Sequence, residues 1–92
     1  MNLKNIMGGG LMDGQNITIK IKSLISETLT IDDSQLTYDI GPGDLPQWDS
    51  LAHQSIINRI EEEYSIAFTV DEMLDMESLF DIVETVKGHL SK

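Results

Sequence analysis

Ser50 lies in the run Trp48-Asp49-Ser50-Leu51, with His53 three residues further on. An apolar helical pattern starts immediately after it, so its hydroxyl falls at a helix N-terminus, at the mouth of the preceding loop. Backbone N–H groups and the positive end of the helix dipole favour a phosphate attached to such an oxygen. Two plainer chemistries compete. A serine before an apolar helix is a ready N-cap, its oxygen accepting from an amide two or three residues on. Ser50, His53 and Asp49 also have the residue types of a nucleophile, a base and an orienting acid. A hydrolytic trio needs an oriented histidine–nucleophile hydrogen bond and an oxyanion site. Three side chains within five residues rarely supply both, so the hydrolase reading is set aside and His53 is expected at the helix surface. On these residues alone, attachment site and helix cap stay open alternatives.

Other reactive groupings are weaker. The acids from Asp32 to Asp49 suggest calcium, but they lack the ligand order and central glycine of an EF-hand loop. Glu61, Glu62 and Glu63 crowd the end of a helix, where acids oppose the dipole at a cost of a few tenths of a kcal/mol each. That placement invites a role in partner binding, or weak divalent-ion binding; a solvated face is the bland alternative. His89 reads as a helix-end cation, and Met73 and Met76 as core. No metal site is assigned. Cysteine is absent, so disulfides, zinc–thiolate sites and a protein thiol nucleophile are excluded.

The elements that must position these groups follow from apolar spacing. Ile17, Ile21, Leu24, Ile25 and Leu29 share one helical face, giving a first helix over Asn16 to Leu29 with Asn16 as its cap. Ile17, Ile19 and Ile21 also alternate like a strand, but nothing else in the chain offers that strand a partner. Residues 30–49 form a long connection with turn formers at Asp32-Asp33-Ser34, Gly41-Pro42-Gly43 and Pro46. Leu36, Tyr38, Ile40 and Leu45 are expected to tack it to the core. The second helix should run from Ser50 to Tyr64, with Leu51, Ile56, Ile57, Ile60 and Tyr64 inward. A short helical stretch is expected over Asp71 to Met76, with Val70, Met73 and Leu74 inward. A last helix over Ser78 to Leu90 places Leu79, Ile82, Val83, Val86 and Leu90 on one stripe, with a capping-box pattern at Ser78 and Asp81. The fold class is therefore all-α: a four-helix bundle of three main helices and one short one, with a long loop between helices one and two.

The chain has 92 residues and reads as a single domain over 16–92, preceded by a glycine-containing lead over 1–15 that is expected to be flexible. Met12 is a candidate natural start, in which case deleting residues 1–11 should leave the melting temperature unchanged. The formal net charge is -10. That sign argues against nucleic acid and against anionic lipid as partners, and for proteins with basic surfaces. Between Leu24 and Val86 stand 15 acids and one base, Arg59. Their repulsion predicts a modest stability that rises with divalent cations or mild acidification. With no apolar run of membrane-spanning length and no signal-peptide pattern, the expectation is a cytoplasmic monomer.

Asp49-Ser50-Leu51, followed by Ile56-Ile57, Ile60, Glu61-Glu62-Glu63-Tyr64 and Ile66, resembles the acyl carrier protein family, the small phosphopantetheine-bearing carriers. The resemblance extends over Ile17 to Leu90 and includes the long loop before the serine and the distance from Ser50 to Leu79. It implies an acyl-carrier type of bundle with 4'-phosphopantetheine attached covalently to Ser50 by a phosphopantetheinyl transferase. The arm's thiol would hold acyl groups as thioesters, so the absent cysteine is replaced by a cofactor sulfur. The protein itself would catalyse nothing. Asp49, Leu51, Glu61 and Glu62 become the residues expected to engage the transferase and the acyl-transferring or condensing enzymes. The chain departs from the family's fatty-acid carriers: Ala52-His53-Gln54-Ser55 stands where acids are usual, with Arg59 adding a positive charge, Trp48 stands where a small residue is usual, and Gly41-Pro42-Gly43 occupies a loop segment that is usually longer-sided. These departures point to a specialised lipid, polyketide or cell-envelope pathway. The competing reading is an unmodified acidic helical interaction module in which Ser50 is only a cap.

Overall fold

The computed structural model describes residues 14–91. Among them every regular element is helical: α1 (Gly14–Leu29), a single 3₁₀ turn (Asp33–Gln35), α2 (Ser50–Tyr64), α3 (Val70–Leu74) and α4 (Leu79–Leu90). The described residues thus form a small all-α bundle of three main helices and one short one. α1 packs against both α2 and α4.

The core is built from the predicted stripes. Ile17, Ile21, Leu24, Ile25 and Leu29 of α1 meet Ile56, Ile57 and Ile60 of α2 and Leu79, Ile82, Val83 and Val86 of α4. Ile19 is 63% exposed while Ile17 and Ile21 on either side are buried, so the period is helical and the strand alternative fails. Leu36, Trp48, Phe68 and Met76 complete the core from the connections.

Several expectations need correction. α1 starts at Gly14, so Asn16 lies inside the helix instead of capping it. The flexibility of the lead and the proposed start at Met12 concern residues outside those described. Leu51 is 81% exposed. It stands five and six residues from Ile56 and Ile57, which at about 100° per residue is off their face; half-buried Ala52 and His53 lie on that face instead. Val70 and Leu74, expected inward, are 66% and 72% exposed, because a helix of five residues can bury only one side, here through Met73. Tyr38 does not tack the loop to the core. It is half-exposed and meets Phe80 edge-on, with ring centroids 6.0 Å apart.

The long loop is held at the head of α4. Leu79 N–H donates to the Ile40 carbonyl at 2.8 Å and Phe80 N–H to the Tyr38 carbonyl at 3.0 Å, satisfying two first-turn amides that no helical partner could reach. A Cβ on Gly41 would come within 2.0 Å of the Glu77 carbonyl oxygen, so only glycine lets the two backbones approach this closely. The Ser78 hydroxyl accepts from Asp81 N–H as expected, but the Asp81 carboxylate returns to the Glu77 amide, not to Ser78. The complete capping box belongs to α3, between Thr69 and Glu72.

Candidate functional site

Ser50 is the first residue of α2, not its cap. Asp49 has the extended backbone of an N-cap (φ -93°, ψ -173°), and its carboxylate accepts from Ala52 N–H at 2.9 Å. The acid thus satisfies an amide that the serine was a candidate to satisfy. Ser50 is exposed, and its hydroxyl makes no hydrogen bond among the described residues.

The loop folds into a compact turn that brings its end up to the serine. Gly41 N–H donates to the Asp44 carboxylate at 2.8 Å, and Asp44 N–H returns to the Gly41 carbonyl at 3.0 Å. Gly43 then takes a left-handed conformation (φ 91°) natural only to glycine, and its N–H donates to the Trp48 carbonyl at 2.8 Å. The result is a cleft of about 410 Å³ lined by Pro42, Gly43, Trp48, Asp49, Ser50 and His53.

Trp48 is the only tryptophan and is fully buried. An indole N–H can only donate, so burying it requires an acceptor. His53 supplies one: Trp48 Nε1 donates to His53 Nδ1 at 3.0 Å. The ring proton of the neutral imidazole is therefore assigned to Nε2, which has no acceptor among the described residues. Burial holds the His53 pKa below the ordinary histidine value of 6.5. A protonated Nδ1 would also face the indole N–H donor to donor. His53 is thus half-buried instead of lying at the helix surface. Its Nδ1 and the Asp49 carboxylate are both engaged elsewhere, so the Ser50–His53–Asp49 arrangement lacks the hydrogen-bond relay of a hydrolase.

The three glutamates at the end of α2 are placed very differently from one another. Glu61 turns back over the helix end, and its Oε2 accepts from Phe68 N–H at 2.8 Å. Ser65, left-handed at φ 55°, reverses the chain so that Ser65 and Ile66 N–H both reach the Glu61 carbonyl. Glu61 therefore holds the α2–α3 link. Glu63 pairs with Lys20 of α1 at 3.4 Å. Glu62 is exposed with no partner among the described residues. No group of three or more potential ligands close enough to hold a metal ion occurs among the described residues. The Asp32 and Asp39 carboxylates of the loop are held by local turns, accepting from Ser34 N–H and the Thr37 hydroxyl, and both pKa values are lowered by those bonds. Burial, with the Glu63 charge beside it, raises the Tyr64 pKa.

Arg59, the base that interrupts the acidic run, reaches sideways to α1, donating to Thr28 Oγ1 and Glu27 Oε1 at 3.0 Å each. His89 meets Glu72 at 2.9 Å and stacks edge-on against Phe68, so it joins α4 to the link and α3. Leu51 stands exposed directly beside Ser50. Asp49, Ser50, Leu51 and His53 are thus brought together at the head of α2, and Glu61 and Glu62 lie at its far end. The Trp48–His53 pair was missed from the sequence; its signal was a lone tryptophan five residues before a histidine on the buried face of a helix. No described helix is long and apolar enough to cross a membrane. Compared against known proteins, the chain matches no protein-family model and no curated protein.

Proposed function

We propose that this protein is an acyl carrier, with Ser50 as the covalent attachment site of 4'-phosphopantetheine. The observation that carries this reading is the Ser50 hydroxyl: exposed, first in its helix, and free of hydrogen bonds among the described residues because Asp49 does the capping. A serine retained only as a cap has no such duty left to perform here. The adjoining cleft gives a large substituent room, and a Cβ on Gly43 would meet nothing within 4 Å, so that wall is open.

Attachment is a phosphoryl transfer performed by a partner transferase. The Ser50 oxygen forms a bond to the phosphorus that bears pantetheine in coenzyme A. The pyrophosphate bond to the nucleotide breaks, and the serine proton passes to a base on the transferase. The bound arm supplies the terminal thiol on which acyl groups are held as thioesters. The protein's own work is presentation: a rigid helix head, the exposed Leu51 beside the serine, and an anionic surface that attracts basic enzymes. The features of Trp48 and of Ala52 to Ser55 favour a specialised lipid, polyketide or cell-envelope pathway over the standard fatty-acid one.

The test is coexpression with a promiscuous phosphopantetheinyl transferase. Intact mass should rise by one phosphopantetheine, and Ser50→Ala should abolish the gain while folding normally. An unchanged mass, or modification of another residue, refutes the carrier reading. The exposed Leu51, Val70 and Leu74 would equally serve an unmodified interaction module. That module would stay at its unmodified mass and bind its partner as well with Ser50→Ala as without it.

A further inference from the structure

We propose that the cleft between the Gly41–Trp48 turn and the head of α2 seats the proximal part of the arm, with Trp48 and His53 as its wall. This rests on the reading of Ser50 as the attachment point and says where the arm goes from there.

Three observations carry it. Ser50 itself lines the cleft, so a chain leaving its oxygen starts inside that space. At about 410 Å³ the cleft falls within the range of small-molecule sites, roughly 300 to 1,000 Å³. The lining also suits a chain that begins with a gem-dimethyl group and continues through amides. Pro42 and the half-buried His53 ring, backed by the buried Trp48 indole with centroids 6.0 Å apart, offer apolar surface to the methyls. Because Nδ1 accepts from the indole, the imidazole keeps a proton on Nε2 that can be donated to an amide carbonyl or phosphate oxygen. Bare Gly43 leaves its edge of the cleft unobstructed. His53 is in this reading a positioning residue: it holds Trp48 in place with one nitrogen and the arm with the other.

The rival path for the arm runs over the exposed apolar side chains of Leu51, Val70 and Leu74. The two paths separate in one experiment. Isotopically labelled protein is modified with an unlabelled arm, full modification is verified by intact mass, and isotope-filtered NOEs are recorded from the gem-dimethyl protons. Cross-peaks to Trp48, His53 and Pro42, with a shift of the Trp48 indole N–H resonance between unmodified and modified protein, support the seat. In His53→Ala protein that has gained the arm, as verified by intact mass, those cross-peaks should be lost. Full mass gain with cross-peaks to Leu51, Val70 or Leu74, or with none, overturns the seat and leaves the carrier reading intact. Absence of mass gain overturns the carrier reading and the seat with it.

Discussion

Replacing the α2 glutamates one at a time separates a structural acid from one available to partners. The Glu61 carboxylate accepts from Phe68 N–H at 2.8 Å in a half-buried setting. A hydrogen bond to a charged group is worth about 1.5–3 kcal/mol net, and partial exposure puts this one at the lower end. Glu61→Ala also removes an acid from the negative end of the α2 dipole, which returns a few tenths of a kcal/mol. The net loss is about 1 kcal/mol, or about 4–8 °C in Tm for a domain of this size. Glu62→Ala removes only the dipole conflict and should leave Tm unchanged or slightly raised. Glu63→Ala gives up an exposed pair with Lys20, its side chains 50% and 39% exposed, which barely contributes.

Thermal unfolding followed by circular dichroism gives the ranking, and amide exchange at Phe68 reports the bond itself. Glu61→Gln, which keeps an acceptor but not the charge, should fall between wild type and alanine. If Glu61→Ala melts with wild type and exchange at Phe68 does not accelerate, the assignment of Glu61 as the tie of the α2–α3 link is wrong. The series also corrects a natural experiment. Reversing Glu61 and Glu62 together to lysine would weaken partner binding partly by loosening the fold. On the proposed carrier function, Glu62→Lys alone should reduce affinity for a phosphopantetheinyl transferase, with a weaker salt dependence than wild type, while Tm holds.

Three further outcomes are expected. Gly41→Ala places a methyl 2.0 Å from the Glu77 carbonyl oxygen, so urea unfolding should show a loss of about 2 kcal/mol or more as loop and α4 separate. Asp49→Ala should cost about 1 kcal/mol through the lost cap, whereas Ser50→Ala should cost almost nothing; equal effects would contradict the assignment of the cap. His53 has a folded pKa below 6.5, so between those two values the unfolded chain binds a proton that the folded one refuses. Its stabilising effect is therefore full above about pH 6.5 and is lost as pH falls through the folded value. This opposes the relief of acid–acid repulsion expected on mild acidification. The urea midpoint of His53→Gln should consequently rise relative to wild type on going from neutral pH to about pH 5, and parallel curves would refute the neutral, indole-bound ring.

The helices were legible because burial follows a period that sequence displays directly. Ile17, Ile21 and Ile25, or Ile82, Val83 and Val86, must face inward in any helix that contains them, and all are buried. What was not legible depends on contacts between segments. Asp49 and Ser50 are both good cap residues, and only the extended backbone at Asp49 decides between them. The identity of Glu61 as a tie depends on the left-handed Ser65, which no glycine or asparagine announces. Leu51 and Val70 are apolar residues that hydrophobicity alone would place in the core, although the angle between Leu51 and the isoleucine stripe argues against it.

Trp48 shows why this matters at the site. From sequence it is a bulky apolar residue two places before Ser50. In the fold it is the piece of the loop that enters the core, and its N–H creates an obligation that only a neighbouring acceptor can meet. His53, one turn into α2, meets it and stands half-buried beside Ser50, where burial holds its pKa below the ordinary histidine value. The same bond fixes where the loop ends, which face of the imidazole remains available and how the cleft is closed. Substituting Trp48 with phenylalanine would keep the apolar mass and remove the obligation. His53 would then be free to rotate, and the wall of the cleft would lose its definition although the core remained filled.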